Sequence, residues 1–416
     1  MKVLSLFDGM ACGMLALQKA EIEVDRYVAY EIDKYAVQTA THNFPMIEQR
    51  GDVFAADFSE FNGFDFLIGG SPCTYWSIAQ KNNRETEASG LGWELFSQYV
   101  RALHEAKPKF FVYENNKSMS KAIRASIDEA FGFEAICINS SLVSAQNRQR
   151  LYWVGKRNDD GTYSKVPVEQ PEDLGVLLKD VLESGCAYRD KSTALAANRG
   201  GISPANDIGG SRHTLVAEPV RVPEYGMEDK SRPVTACYAH KGCGEGSLAT
   251  EAFPDNPNKQ VRDYVAEPVR VGSLPRPNGK LSTSQAFRVY SIDGKAVNLT
   301  AQGGGAGAKT GLYAIPVEFN GEVPVKAISA TDGKTYTIYE VKDGQITIKG
   351  KQHPIKLIDG YYIIRKLMVK ECMRLQTVPE WYEFPVSDSQ AYKMLGNGWT
   401  VNVIAHLFRA CRKADK

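Results

Sequence analysis

The sequence lacks several features that would assign it to a specialised class. No apolar run approaches the roughly 20 residues that a membrane-spanning helix needs. The net charge is only +1, so a nucleic-acid surface would have to be a local stripe. The eight cysteines are scattered without the spacing of a disulfide framework, and no signal peptide precedes the strand that begins at Lys2. We therefore expect reduced thiols, no membrane and a cytoplasmic location.

The length and the local pattern indicate an α/β fold. The chain has 416 residues, 24% of them charged and 43% hydrophobic, which suits two or three globular domains. Its first 155 residues alternate apolar runs with helical stretches, a pattern that predicts a parallel sheet covered on both faces. Residues 135–143 and 149–157 are expected to pair as a late hairpin. The other predicted strands are 2–7, 27–33, 64–70 and 110–116, and the predicted helices are 15–20, 34–44 and 93–108.

Chemically interesting residues follow the ends of these predicted strands. Such sheets bind ligands beyond the carboxyl ends of their strands, so residues that are distant in sequence are expected to form one site. They are Asp8 and Gly9, Glu31 and Asp33, Asp52, Pro72–Cys73 and Glu114.

The glycine-rich turn at 8–14 indicates a nucleoside-bearing cofactor. Its spacing is not GxGxxG, so a nicotinamide-dependent dehydrogenase is disfavoured. Glu31 lies at the next strand end, about 20 residues on, where a carboxylate can accept ribose hydroxyls. S-adenosylmethionine meets this description. An ordinary tight turn beside a solvated acid is the alternative interpretation.

Cys73 is a candidate nucleophile. Pro72 stiffens the backbone before it, and loop amides can help to ionise a thiol at such a position. The alternative is a buried, inert cysteine.

Glu114, Arg148 and Arg150 are candidate catalytic or binding residues. Glu114 could act as a proton donor or simply pair with a lysine. Gln146, Arg148 and Arg150 share one strand face by period two. Two guanidinium groups there need acceptors, such as phosphate oxygens or a base carbonyl, although a solvated edge strand is the alternative.

Together these segments resemble the DNA cytosine-5 methyltransferases of bacterial and phage type, in the order of that family's motifs. The cofactor loop "LSLFDGMACGM" is most similar to that of the mammalian de novo DNA methyltransferases. The similar segments cover roughly half of the chain. The others are "YEIDKYA", "GDV" at 51–53, "GGSPCTYWS" at 69–77, "YENN", "QNRQR", and the stretches 365–384 and 392–407.

The resemblance implies a Rossmann-like class I S-adenosylmethionine-dependent methyltransferase fold with an inserted, mainly β target-recognition domain. The catalytic domain would comprise 1–157, the recognition domain 158–360 and the return segment 361–416, with a helix at 400–414 covering the first strand. No metal is expected. S-adenosyl-L-methionine would contact Phe7, Asp8, Gly9, Glu31, Ile32, Asp52, Val53, Pro72, Asn397 and Trp399.

The resemblance also implies a mechanism. Attack of the Cys73 thiolate on carbon 6 of a flipped-out cytosine makes carbon 5 nucleophilic, and carbon 5 then accepts the methyl group. Glu114 would assist at ring N3. Arg148 and Arg150 would hold the carbonyl at position 2 and a neighbouring phosphate. Loss of the carbon 5 proton then expels the cysteine.

The sequence departs from the family pattern at three places near the site. The cofactor loop reads Asp-Gly-Met-Ala-Cys-Gly at 8–13, where most bacterial members carry Ala-Gly-x-Gly-Gly. Asn116 stands where the family usually has valine, which puts local hydrogen bonding in doubt. Gly398–Trp399 replaces the commoner Ser-Val, and Trp399 is expected to pack against the cofactor as in the de novo enzymes. None of these changes removes a catalytic atom.

The insert contains repeats. They predict strand–loop units with glycine-rich tips that approach phosphates, although a duplicated β-domain without a ligand is the alternative. Residues 335–350 predict a hairpin with Asp343–Gly344 at its turn. Cys237, His240 and Cys243 suggest zinc, but a fourth ligand is missing, so we favour a loop. The repeats are "VAEPVRV" at 216–222 and 265–271, "YAIPVEF" at 313–319, and "KSTALAA", "KSRPVTA", "KAVNLTA" and "VKAISAT" at 191, 230, 295 and 325.

The expected activity is therefore site-specific DNA cytosine-5 methylation, of restriction–modification or phage type. The expected partners are double-stranded DNA and, as a candidate, a cognate restriction endonuclease, and we expect a monomer. An RNA (tRNA) cytosine-5 methyltransferase on the same fold and a non-catalytic DNA-binding homologue are the alternatives. The large insert favours DNA, and the presence of Cys73, Glu114, Arg148 and Arg150 favours catalysis.

Overall fold

The computed structural model describes most of both ends of the chain and parts of its middle. Two compact units are present: the first is Met1–Val176, Asn298–Ala301 and Cys372–Lys416, and the second is Leu177–Val297 and Gln302–Glu371. The domain limits predicted at 157 and 361 stay predictions. The described residues are 1–77, 84–183, 186–187, 216–217, 267–276, 278–281, 284–300, 310–317, 326–329 and 334–415.

The first unit contains a mostly parallel eight-stranded sheet. The strand order is β3-β2-β1-β4-β5-β7-β6, and β8 pairs with β7. The first five strands of this order are parallel, whereas β7 runs antiparallel to both β5 and β6. The late hairpin and the α/β class are thus confirmed. The strands are β1 Lys2–Leu6, β2 Arg26–Tyr30, β3 Glu48–Gln49, β4 Phe66–Gly69, β5 Phe110–Asn116, β6 Ile136–Asn139, β7 Gln149–Arg157 and β8 Tyr163–Lys165.

Seven helices are found in the described residues, and several begin or end differently from their predictions. The first helix begins at Cys12 rather than residue 15, and the third at Gly90 rather than residue 93. The second strand ends at Tyr30 rather than residue 33, because the Asp33 side chain accepts the backbone N–H groups that start the next helix. The helices are α1 Cys12–Lys19, α2 Lys34–Asn43, α3 Gly90–Ala106, α4 Lys121–Phe131, α5 Val369–Leu375, α6 Asp388–Asn397 and α7 Val401–Ala414.

Different helices cover the two faces of this sheet, because neighbouring residues on a strand point to opposite sides. Leu67 belongs to an apolar cluster with Phe96 of α3 and Phe131 of α4. The ring of Phe66 instead lies 5.3 Å from that of Phe408 in α7, and α7 packs against α1. The predicted C-terminal helix therefore covers the face opposite α3 and α4.

The second unit is mainly β in its described part. Its strand order is β10-β9-β14-β15-β18-β13-β12-β11, with β16 pairing with β15 and β17. The predicted hairpin is confirmed, and Asp343 and Gly344 have the positive φ of its turn. The strands are β9 Cys186–Ala187, β10 Val216–Ala217, β11 Arg270–Ser273, β12 Arg288–Ser291, β13 Leu312–Val317, β14 Lys326–Ser329, β15 Thr335–Lys342, β16 Gln345–Ile348, β17 Lys351–Pro354 and β18 Gly360–Arg365.

Several expectations fall outside the described residues. The repeats at 191–197 and 230–236 lie there, as do most of 216–222 and the three residues considered for zinc, Cys237, His240 and Cys243. Within the described ranges, no helix is both long enough and apolar enough to cross a bilayer. No cluster of metal-ligating side chains occurs in the same ranges.

Candidate active site

A cleft opens at the carboxyl ends of β1, β2, β4 and β5, where the predicted site residues were expected to meet. Its internal volume is about 180 Å³. Ile32, Asp52 and Val53 lie outside its wall, and their contact with a cofactor stays a prediction. The predicted residues that line it are Phe7, Asp8, Gly9, Glu31, Pro72, Glu114, Arg148, Arg150, Asn397 and Trp399.

A strained turn connects β1 to α1 at the floor of the cleft. Phe7, Gly9 and Ala11 all have φ near +60°, a conformation that is uncommon for residues other than glycine and concentrates at functional sites. The turn brings the Gly9 amide to 2.8 Å from the Glu31 carboxylate, to which it donates a hydrogen bond. Backbone strain here therefore orients the acid of the neighbouring strand.

Glu31 is oriented by the backbone around it. One oxygen accepts hydrogen bonds from the amides of Ile32 and Asp33, each at 2.8 Å, and the other accepts the bond from Gly9. Ile32 is 75% exposed, which leaves an apolar surface beside this carboxylate. A fixed acceptor next to an apolar surface suits a ribose that carries a flat base.

Asp8 is half-buried, and its carboxyl group has unused hydrogen-bonding capacity. Ser5 and Tyr27 each donate a hydroxyl hydrogen bond of 2.6 Å to its Oδ1. Its Oδ2 is buried and has no partner in the described part of the chain. Burial raises the pKa of Asp8 to about 6, although the two hydroxyl bonds oppose this shift. Asp8 also lines the cleft, and a carboxyl group in this wall fits a cationic ligand such as S-adenosylmethionine.

The loop after β4 approaches Glu114 closely. A side-chain carbon at position 70 would lie 2.7 Å from the Glu114 carbonyl oxygen and 2.9 Å from its Oε2, so only glycine fits at this position. Cys73 opens a short 3₁₀ turn that ends at Tyr75. Its thiol lies outside the described part of the structure, whereas Pro72 before it lines the cleft.

Each carboxylate oxygen of Glu114 has a polar partner, an ion pair with Arg150 on one and a hydrogen bond from Trp399 on the other. Arg150 Nε lies 3.1 Å from Oε1, and Trp399 Nε1 donates to Oε2 at 3.0 Å. Glu114 is only 8% exposed, so these contacts lie largely away from water. Sequence reasoning identified each of the three residues but missed the bond between Trp399 and Glu114.

The prediction that Gln146, Arg148 and Arg150 share one strand face is wrong, because β7 begins at Gln149 and only Arg150 lies on it. Arg148 and Gln146 also differ from Arg150 in their contacts. The Arg148 guanidinium, 3% exposed, donates to the carbonyl oxygens of Gly396 and Gly398 and to the Asn298 side chain. These bonds favour a positioning role over the predicted contact with a substrate carbonyl. The Gln146 amide is buried without a hydrogen-bond partner among the described residues and does not line the cleft.

Lys393 is one of several residues of the cleft wall that were not predicted as site residues. Lys393 donates to Asp33 at 2.6 Å and thereby joins α6 to the start of α2. Its position four residues before Asn397, on the same face of one helix, was the available signal.

The sheet order and the cleft at its strand ends define the class of protein, a class I methyltransferase fold. A sequence profile of the C-5 cytosine-specific DNA methylases matches residues 1–203 and 250–413, so the chain belongs to that family. The predicted enzyme class, DNA (cytosine-5-)-methyltransferase, is confirmed. The family implies S-adenosylmethionine as methyl donor and DNA as substrate.

Characterised relatives are methyltransferases of phages and bacteria. The orphan methyltransferase M.Rho11sI of Bacillus phage rho11s is 28% identical over 83% of this chain and 68% of its own length. The orphan methyltransferase M.SPRI of Bacillus phage SPR is 26% identical over 98% of this chain and 97% of its own. The type II methyltransferase M.HhaI of Haemophilus parahaemolyticus is 24% identical over 98% and 93%.

Solved structures share the fold. The S. pombe Dnmt2 methyltransferase matches with a TM-score of 0.50 and 13% identity, over the whole of both chains. The Entamoeba histolytica methyltransferase EhMeth matches with a TM-score of 0.51 and 11% identity, over 100% of this chain and 99% of its own. At such identities these likenesses show the fold alone.

Proposed function

We propose that this enzyme methylates cytosine in double-stranded DNA through a covalent adduct between Cys73 and carbon 6 of the base. The observation that carries this proposal is the geometry of Glu114, whose carboxylate is held by Arg150 and Trp399 beside the loop that leads to Cys73. A carboxyl group fixed in a partly dry cleft is suited to hydrogen bonding at ring N3.

The residues proposed to bind the cofactor would each contact a different part of it, according to their chemistry. Asp8 would lie near the cationic part of the ligand and Glu31 near the ribose hydroxyl groups, because both residues line the cleft. Ile32, Asp52 and Val53 would flank the base, and Trp399 would pack on the ligand. Phe7, Gly9, Pro72 and Asn397 would complete the cofactor site. When bound, S-adenosylmethionine supplies the methyl group that carbon 5 accepts.

Cys73 and Glu114 would carry out the covalent and proton-transfer steps of the reaction. The Cys73 thiolate forms a bond to carbon 6, while Glu114 supplies a proton or hydrogen bond at N3 so that the ring can accept the electron pair. After methylation, the carbon 5 proton is lost and its electron pair expels the sulfur, which regenerates the thiolate. Arg150, beside Glu114, is the arginine placed to hold the carbonyl at position 2.

The substrate must present its base to this cleft. A duplex hides carbon 6 within the base stack, so the target cytosine has to be flipped out at a cost of a few kcal/mol. We propose that the enzyme acts as a cytoplasmic monomer in a bacterial or phage-infected cell. A cognate restriction endonuclease is a candidate partner.

Bisulfite sequencing of DNA from cells that express the chain tests the proposed activity. We expect 5-methylcytosine at a defined sequence with the wild type and none with Cys73→Ala, which should keep its affinity for S-adenosylmethionine. Cys137→Ala is the matched control, because Cys137 is another free thiol but lies outside the cleft wall.

Duplexes that contain 5-fluorocytosine test the covalent step directly. Fluorine cannot leave as a proton, so the adduct should persist on a denaturing gel. Full activity of Cys73→Ala, or turnover of normal DNA without a trapped adduct, would contradict the mechanism. Methyl transfer to tRNA but not to DNA would overturn the proposed substrate.

A further inference from the structure

The indole of Trp399 is bonded to the carboxylate proposed to act on the base. Its Nε1 lies 3.0 Å from Glu114 Oε2, although the two residues are 285 positions apart in the chain. The other carboxylate oxygen is held by Arg150 at 3.1 Å. Together the two contacts restrict the position of both oxygens of Glu114.

The two donors differ in charge. Arg150 carries a full positive charge, whereas the indole N–H is a neutral donor. A second guanidinium in place of Trp399 would hold the carboxylate as firmly, but would add a positive charge to the same site. A neutral donor can therefore orient Glu114 without adding that charge.

Hydrogen bonds also restrict the residues on either side of Trp399. The carbonyl oxygen of Gly398 accepts bonds from Arg148 at 2.8 Å and from Gln376 at 3.2 Å. On the other side, the Thr400 hydroxyl donates to Gln376 Oε1 at 2.7 Å. Arg148 is buried, so these bonds are shielded from water and hold the residues on both sides of Trp399 in place.

The close packing at Gly398 restricts this backbone further. A side-chain carbon at position 398 would lie 3.0 Å from the Met394 carbonyl oxygen and 3.1 Å from Cys12 Sγ. The segment that carries Trp399 therefore rests directly on α6 and on the start of α1.

We infer that Trp399 is a positioning residue for Glu114, and that Arg148 acts on Glu114 indirectly, through Gly398 and Trp399. The two arginines of "QNRQR" then serve the same carboxylate from opposite sides, Arg150 by direct contact and Arg148 through the indole. This inference rests on the proposed function, because it deepens the role assigned to Glu114.

Trp399→Phe tests the inference, because phenylalanine keeps an aromatic ring for the cofactor but loses the N–H group. We expect kcat, measured with saturating DNA and S-adenosylmethionine, to fall about tenfold or more, as loss of a hydrogen bond to a charged group would produce. The Kd for S-adenosylmethionine, measured by calorimetry, should change by less than about threefold. Adduct formation with 5-fluorocytosine DNA should slow by the same factor as kcat.

Trp153→Phe is the matched control. Trp153 is also buried and its Nε1 donates to a carboxylate, that of Asp128, at 2.7 Å, but it lies outside the cleft wall. This variant should keep kcat within about twofold of the wild type.

The outcomes separate the two proposals. If the wild type forms no adduct and transfers no methyl group, the proposed function fails. If the wild type is active and Trp399→Phe keeps its kcat, or loses affinity for S-adenosylmethionine by the same factor as its rate, only the inference about Trp399 is overturned. A fall in kcat alone, with intact cofactor affinity, supports it.

Discussion

At the scale of single residues, Asp8 shows how burial makes a side chain depend on pH. Its carboxyl group is enclosed under the turn after β1, and burial raises its pKa from 3.8 to about 6. An acid with a raised pKa in the folded state stabilises the fold most below its unfolded pKa. That stability is lost as the pH rises through the folded value.

The raised pKa of Asp8 determines how the stability of the fold should change with pH. Without cofactor, the wild type should become less stable between pH 4 and pH 7, and Asp8 should contribute about 3 kcal/mol to that loss. Asp8→Asn should lack this part of the dependence, because an amide does not ionise. Denaturant unfolding at several pH values measures the difference between the two proteins.

The control for this experiment is an exposed carboxylate. Asp159→Asn changes a side chain that is exposed on the loop between β7 and β8, and its profile should follow that of the wild type. Parallel profiles for Asp8→Asn and the wild type would contradict the assignment. Saturating S-adenosylmethionine should weaken the effect, because a cation beside Asp8 favours the ionised form.

At the scale of elements, Glu85 ties the turn after Cys73 to the start of α3. Its Oε2 accepts a bond from the indole of the fully buried Trp76 at 3.0 Å, and its Oε1 accepts from the Gly92 amide at 3.2 Å. The backbone amide of Glu85 also donates to Tyr75 at 2.8 Å. These bonds hold the backbone that follows Cys73, the proposed nucleophile.

Glu85→Gln should therefore reduce the rate more than it affects the cofactor. An amide has one acceptor oxygen, so it cannot serve both donors, and we expect a loss of about 1–2 kcal/mol of stability. The backbone beside Cys73, the proposed nucleophile, should be held less firmly, and kcat should fall by about fivefold to tenfold, with the Kd for S-adenosylmethionine unchanged.

Glu87 provides the control for the Glu85→Gln variant. Glu87→Gln alters an exposed side chain in the same segment and should leave kcat unchanged. Equal rates for both variants, in a methyl-transfer assay at saturating substrates, would show that the Glu85 contacts do not support the nucleophile.

At the scale of the whole molecule, the first unit is completed by segments far apart in the chain. Helix α7 supplies several fully buried side chains to the sheet that begins at residue 2, among them Val403, Ile404, Leu407 and Phe408. Burial of such a side chain is worth about 1.5–3 kcal/mol. Their sum is comparable with the total stability of a typical domain.

Removal of residues 401–416 should therefore prevent stable folding. We expect the truncated chain to lose its near-ultraviolet circular dichroism and its cooperative thermal transition. Lys413→Ala, a change at an exposed position of the same helix, should retain both. A cooperative transition in the truncated chain would show that α7 is dispensable.

Local sequence patterns located most of the first sheet and most of the cleft. Apolar strands that alternate with helices indicated the sheet, and their carboxyl ends indicated where polar residues would meet. Boundaries were less accurate, since α1 starts at Cys12 through a turn with positive φ at Phe7, Gly9 and Ala11. Those backbone angles depend on packing around the turn and not on helix propensity alone.

The sequence by itself determined the enzyme family and the α/β class, because ordered motifs and alternating apolar strands and helices are properties of the chain. Only the tertiary structure decided that Arg148 binds Gly396 and Gly398, and that Trp399 reaches Glu114. These contacts join segments more than 240 residues apart. They depend on how α6 and α7 pack on the sheet, which no local pattern specifies.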